Sequence, residues 1–218
     1  MTEPISEVRL IDCLEYMKTV PDKYFDLAIV DPPYGIGAGI FEPVGGRNEK
    51  NKDDKKWDSS IPDPEYFVEL RRVSKEQIIW GANYFNCFSG CHGAIIWDKM
   101  QPLPDSSQCE IASYSRLQKV GLYQQRWTNF VNTKESNHPT EKPVALYKWL
   151  LENYAKKGDK IFDSHGGSMS SVIASLDMGF EIHCCEMDKN YYDAAVKRIK
   201  QYLSQTNMFM ETPKIKFD

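Results

Sequence analysis

The chain has 218 residues, enough for one domain with a substantial core, with 41% hydrophobic and 27% charged residues. No apolar run approaches the roughly 20 residues of a membrane span, and the opening Met1-Thr2-Glu3-Pro4 lacks the basic and apolar regions of a signal peptide, so a cytoplasmic location is expected. A net charge of −4 excludes a uniformly basic nucleic-acid binder, and any such function must rest on local patches.

In chain order, Val8 to Ile11 reads as a strand ending at Asp12, and Leu14 to Thr19 as a short helix. Asp26 to Val30 is a second strand, apolar and β-branched, and it runs into Asp31-Pro32-Pro33-Tyr34. Two prolines remove two backbone donors and fix φ twice, so the chain leaves the strand as a stiff loop. Residues 35–63 read as a long basic surface loop. Pro64 to Val73 is helical, with Pro64 in the first turn, and Gln77 to Trp80 and Ala94 to Trp97 are short strands. The alternating patterns within 105–133 predict a hairpin or an insertion, and 100–136 is a candidate target-recognition segment. Thr140 is placed to cap a helix over Pro143 to Tyr154.

Lys160 to Phe162 forms a strand ending at Asp163, and the turn His165-Gly166-Gly167-Ser168 opens a helix through about Asp177. Glu181 to Cys185 is a strand ending at Glu186, Asn190 to Leu203 an amphipathic helix, and the tail from Gln205 has no clear pattern. Strands alternating with helices predict one α/β domain over residues 1–218 with a largely parallel sheet.

The cysteines Cys13, Cys87, Cys91, Cys109, Cys184 and Cys185 read as reduced thiols, with Cys184 and Cys185 pointing to opposite faces of their strand. Cys87-x3-Cys91-His92 lacks the second ligand pair of a structural zinc site, so no metal is expected.

Asp12, Asp31, Asp163 and Glu186 each end a predicted strand, so a parallel sheet would gather all four at the edge where open α/β sheets bind ligands. An aspartate after a strand also caps helices, which is the simpler reading of any one of them. Asp163 through Glu186 has the pattern of a nucleoside-binding half: strand, small-residue turn, helix, strand, acid. It has neither G-x-G-x-x-G nor a P-loop lysine, which favours a nucleoside without phosphates, such as S-adenosylmethionine.

Asp31-Pro32-Pro33-Tyr34, His138-Pro139-Thr140-Glu141-Lys142-Pro143 and Asp163-Ser164-His165-Gly166-Gly167-Ser168 with Glu186, in that order, resemble the β-class amino-methyltransferases, DNA methylases acting on adenine N6 or cytosine N4. The resemblance implies a Rossmann-like S-adenosylmethionine-dependent methyltransferase fold, with a mostly parallel seven-stranded sheet and the catalytic half before the cofactor half. It assigns catalysis to Asp31, Pro32, Pro33 and Tyr34. For S-adenosyl-L-methionine it implies Asp12 and Cys13 by the adenine ring, Glu186 at the ribose, and Asp163, His165, Gly166, Gly167, Ser168 and Ser170 around the methionine moiety. Asp31 lies beside the same ligand, and His138, Thr140, Lys142 and Pro143 close over its methionine end. The family's usual turn resembles D-P-F-x-G-S-G-T-T. Here Ser164, His165 and Met169 depart from it, and Met169 is expected to add bulk where the backbone approaches the ligand.

An aspartate opening the tetrapeptide is more usual for adenine N6 and a serine for cytosine N4, so the resemblance favours site-specific adenine-N6 DNA methylation, as in restriction-modification. Double-stranded DNA is the expected partner, with a companion restriction endonuclease as a further candidate. Arg116, Lys119, Arg126 and Lys134 form a basic stretch without acids, while Arg47, Lys50 and Lys52 sit in a mixed loop that a solvated surface explains equally well. Cytosine-N4 methylation, protein glutamine-N5 methylation and a non-catalytic nucleic-acid-binding module with a degenerate cofactor site remain as alternatives.

Overall fold

A computed structural model describes residues 5–36, 58–88, 93–100, 107–116, 119–126, 141–206 and 213–218. The described strands are β1 (Ile5–Leu10), β2 (Phe25–Val30), β3 (Ser74–Trp80), β4 (Gly93–Asp98), β5 (Cys109–Tyr114), β6 (Val120–Gln124), β7 (Lys160–Asp163), β8 (Glu181–Glu186) and β9 (Lys214–Phe217). The helices are α1 (Cys13–Thr19), α2 (Pro64–Val73), α3 (Val144–Tyr154), α4 (Ser170–Met178) and α5 (Lys189–Thr206).

The strands form one sheet in the order β6-β4-β5-β3-β2-β7-β8-β1-β9. Only β5 runs against its neighbours, β3 and β4; every other pairing is parallel. This is the expected fold class, with nine strands in place of seven. β9 pairs in parallel with Ile5 to Val8 from a tail that carried no readable pattern, because four residues with two lysines bury too little to betray an edge strand. The expected hairpin is also replaced: β4 lies between β5 and β6, which do not pair with each other. Thr140 lies outside the described residues, and the N-cap position of α3 is Pro143, without a side-chain cap bond.

Strand parity sorts the core into two layers. Leu27 and Ile29, Ile78 and Trp80, Ile161, and Ile182 with Cys184 face one side, with Leu146, Leu150, Val172 and Ile199 of α3, α4 and α5. Ala28 and Val30, Ile79, Phe162 and Cys185 face the other, with Met17 of α1 and Tyr66, Leu70 and Val73 of α2. The adjacent cysteines therefore do point to opposite faces. At about 1.5–3 kcal/mol for each buried aliphatic side chain, these two layers hold the sheet against its entropic cost.

The connection from β2 leads through α2 to β3, on one side, while that from β7 leads through α4 to β8, on the other. The gap between the carboxyl ends of β2 and β7 is thus a topological switch point, where the ends of adjacent strands part into a crevice. Among the described residues, no helix is long and apolar enough to cross a membrane.

Candidate active site

Four strands that are neighbours in the sheet, β2, β7, β8 and β1, deliver Asp31, Asp163, Glu186 and Asp12 to one edge. Asp31 and Asp163 flank the switch point. Asp12 also caps α1: its Oδ1 accepts from the amides of Leu14 (2.8 Å) and Glu15 (3.1 Å). Asp12 thus stands at the crevice edge and caps α1 at the same time.

Around Asp31 the site is densely bonded. Tyr34 donates its hydroxyl to Oδ1 at 2.5 Å, and the Lys142 ammonium pairs with Oδ2. Lys142 also reaches Oε2 of Glu110 at 2.9 Å, and Lys99 holds Oε1 of Glu110 at 2.7 Å. The Lys142 side chain is 3% exposed. Its Nζ lies 5.4 Å from the ring centre of Trp80 and 5.8 Å from that of Tyr34, which gives it cation–π contact as well. Burial acts first on all of these groups. It lowers Lys142, but Asp31 and Glu110 overcome it and raise the ammonium, which stays charged. It raises Glu110, and Lys142 with Lys99 reverse that and bring the carboxyl down to about 2. It raises Asp31, with Lys142 pulling back and Glu110 adding to the rise, for a net upward shift.

The tetrapeptide is held from behind. Buried Asp58 accepts from the amides of Tyr34 (2.6 Å) and Gly35 (2.8 Å). Tyr84 stacks on Tyr34 with ring centres 4.9 Å apart. At Gly81, with φ +72°, a methyl group would lie 2.2 Å from the Tyr34 ring, so only glycine lets that ring in. Trp80 and Trp97 are core residues, and Trp80 is at the same time a wall beneath Lys142.

On the other side of the crevice, Asp163 accepts from the Ser171 hydroxyl (2.5 Å) and the His165 amide (3.1 Å). Burial outweighs these bonds and raises its carboxyl to about 6. Glu186 accepts from the amides of Gly167 and Asp188, both at 2.8 Å, and burial raises it too. His165 is half-buried and pushed down to about 4 by desolvation. Its Nδ1 bonds the Ser164 hydroxyl (2.8 Å), which bonds Tyr66 (2.7 Å), and its Nε2 lies 3.9 Å from Cys13 Sγ. Ser164 and His165, two of the residues that depart from the family turn, are thus joined to Tyr66 by hydrogen bonds.

Met169 corrects an expectation. It is fully buried, packed in the core with Val172 and Cys184, and does not add bulk to the crevice. What it does carry is a left-handed backbone, φ 55° and ψ 36°, the conformation that suits a glycine. Gly166 must stay small because a methyl there would lie 2.7 Å from Cys184 Sγ. Arg198 of α5 donates to the Ser168 carbonyl (2.8 Å) and the Ser170 hydroxyl (3.1 Å) and pairs with Glu141 at 2.6 Å, tying the turn to the segment that carries Lys142.

Of the basic residues, Arg116 pairs with Glu76 at 2.7 Å near the start of β3, and Lys119 precedes β6, so both lie at the sheet edge opposite Asp31. Arg126 follows β6 at the crevice edge. His138, Thr140, Arg47, Lys50, Lys52, Lys134, Cys91 and His92 lie outside the described residues. Among those described, no group of three or more His, Cys, Asp or Glu could hold a metal, and the cysteines form no disulfide. Glu110, Asp58 and Arg198 were missed from sequence, because each reaches the site from a segment whose position only the tertiary fold fixes.

Residues 96–197 match the family model for DNA methylases of the N6/N4 type. The type II methyltransferase M.HinfI of Haemophilus influenzae is 23% identical over 247 aligned positions, covering 90% of this chain and 68% of that protein. The crystal structure of an M1.HpyAVI–SAM complex superposes with a TM-score of 0.61 at 17% identity, covering 89% of this chain and all of the other. The PvuII DNA methyltransferase, cytosine-N4-specific, superposes with a TM-score of 0.63 at 11% identity, covering 98% and 96%. Ordered motifs, a crevice at the switch point and these matches agree: the chain is similar to N6/N4 DNA amino-methyltransferases, with the family model matched over residues 96–197.

Proposed function

We propose that the protein is a site-specific DNA adenine-N6 methyltransferase that uses S-adenosyl-L-methionine, and that Asp31, at the carboxyl end of β2 and facing Asp163 across the switch point, is its catalytic centre. The site residues fit that cofactor: the turn between β7 and β8 is lined by acids, which suit an ammonium and ribose hydroxyls, and the nearby guanidinium of Arg198 is already taken by Glu141. When bound, S-adenosylmethionine supplies an electrophilic sulfonium methyl group. Glu186 would hold the ribose, Asp12 and Cys13 would lie by the adenine ring, and the turn from Asp163 through Ser170 would hold the methionine moiety with Lys142 and Pro143 nearby.

An exocyclic amine is a poor nucleophile because its lone pair is delocalised into the ring. Hydrogen bonds from its N–H groups to the Asp31 carboxylate and the Pro32 carbonyl favour a tetrahedral nitrogen, and positioning then supplies most of the catalysis. Tyr34, pinned by Gly81, Tyr84 and Asp58, offers a ring for the flipped-out base. Arg126, at the same edge, is the better placed of the described basic residues to follow phosphates.

The aspartate that opens the tetrapeptide supports adenine; the likeness to a cytosine-N4 enzyme supports the second reading. A methylome of cells expressing the protein separates them. N6-methyladenine within one short sequence is expected, and N4-methylcytosine, or no methylated base, overturns the proposal. Asp31→Ala should abolish transfer while calorimetry still detects S-adenosylmethionine binding.

A further inference from the structure

Asp31 meets its own protein before it meets any substrate. Both of its oxygens are engaged, one by the Tyr34 hydroxyl and the other by a nearly buried ammonium, Lys142. That arrangement favours the ionised form of a part-buried carboxylate against the burial that raises it, yet it poses a difficulty for the reaction proposed above. The target nitrogen becomes positively charged as it gains the methyl group, and Lys142 would set a second positive charge beside it. The same ammonium already touches a second carboxylate: Glu110 Oε2 is 2.9 Å from Nζ, while Lys99 holds Glu110 Oε1 at 2.7 Å. Glu110 is carried by β5, the one antiparallel strand, in a register that pairs it with Trp97 of β4.

The cluster of Asp31, Glu110, Lys142 and Lys99 contains two carboxylates and two ammonium groups, so it is neutral as a whole. A neutral cluster with one bridging cation has a place to send that cation. When an amine N–H takes Asp31 Oδ2, Lys142 moves its contact onto Glu110 without leaving the pocket, and the Asp31 charge faces the nitrogen alone. We propose that Glu110 is a positioning residue for the transfer, the carboxylate that receives Lys142 when the target amine occupies Asp31. The inference rests on the reading of Asp31 as the catalytic acceptor, and it adds to it a residue on a different strand. No group in it changes its protonation state, and no bond other than hydrogen bonds is made or broken by Glu110.

Glu110→Gln leaves the cluster with one excess positive charge, and Lys142 with Asp31 as its only anionic partner. The combined variant Glu110→Gln with Lys142→Met is neutral again. Methyl transfer from tritiated S-adenosylmethionine to unmethylated genomic DNA is measured for wild type and both variants, alongside melting temperature and cofactor affinity. Glu110→Gln should lower kcat roughly 100-fold, the loss typical of an electrostatic group that acts in the transition state. KM for cofactor should stay within about threefold, because Glu110 acts through Lys142 on the target amine. The double variant should recover at least about tenfold of the lost kcat, which a merely structural role for Glu110 cannot produce.

A wild-type protein that transfers methyl groups beside a Glu110→Gln of equal kcat overturns the inference and leaves the function standing. A double variant no faster than Glu110→Gln overturns it as well. If Glu110→Gln does not fold, the double variant carries the comparison, and a kcat more than about 100-fold below wild type refutes the charge-balance account. A wild-type protein with no transfer refutes the functional reading, and the inference with it.

Discussion

Replacing His165 with phenylalanine, the residue type that the family turn usually has there, should remove a pH dependence of folding that the structure builds into the crevice. Desolvation lowers the half-buried imidazole from 6.5 to about 4. Between those values the unfolded chain binds a proton that the folded protein refuses, so stability rises with pH across the window and is lost as pH falls through it. The displacement corresponds to at most about 3 kcal/mol, an upper bound because the ring is only partly shielded from solvent. Asp163 works in the opposite sense: its carboxyl is raised from 3.8 to about 6, so it favours the folded state at low pH and costs a similar amount above about pH 6. In the wild type the two slopes offset each other between about pH 4 and 6; in the variant the Asp163 slope stands uncovered. Urea unfolding of both proteins at four pH values from 4 to 7 isolates the His165 contribution as a difference. The gap between wild type and variant should shift in favour of wild type by at most about 3 kcal/mol from pH 4 to 6.5. A gap that stays constant within about 0.5 kcal/mol would refute a desolvated, neutral His165.

Gly81→Ala should drive the Tyr34 ring from its seat, since the added methyl falls 2.2 Å from it, and reduce kcat by roughly 100-fold while calorimetry finds cofactor affinity unchanged. Gly166→Ala perturbs the other half: its methyl meets Cys184 Sγ at 2.7 Å, and cofactor Kd should rise about tenfold or more with Tyr34 undisturbed, as read by titration calorimetry. Met169→Gly relieves a left-handed backbone costing about 1 kcal/mol but empties a fully buried side chain worth about 2–4 kcal/mol. The net should be a loss of about 1–3 kcal/mol in denaturant unfolding, with cofactor affinity retained; a large drop in affinity would place Met169 in the crevice after all.

Much of the fold was legible because each strand near the crevice is short, apolar and followed by an acid. Val30-Asp31, Phe162-Asp163 and Cys185-Glu186 are local signals, and a short, almost continuously apolar run with an acid behind it needs no tertiary information. β9 was silent for the same reason in reverse: two exposed lysines alternate with two half-buried residues, a pattern shared with any charged tail. The placement of β6 beside β4 could not be read either, because adjacency in a sheet is decided by which backbone edge is left unpaired and not by proximity in the chain.

The candidate site divides in the same way. Asp31, Tyr34, Asp163, Gly166 and Glu186 lie within contiguous motifs whose spacing is fixed by one strand and one turn, so the sequence by itself determined them as a set and determined the chemistry they suit. Only the tertiary structure decided what surrounds them. Lys142 was read as a cofactor residue, and its ammonium lies on Asp31. Glu110 is 79 residues from Asp31 in sequence and one lysine away in space. Met169 was read against the ligand, and its side chain lies in the core because the left-handed backbone turns it inward. The direction of a side chain at a turn and the partner of a buried charge depend on elements packed from elsewhere in the chain, and a linear pattern carries neither.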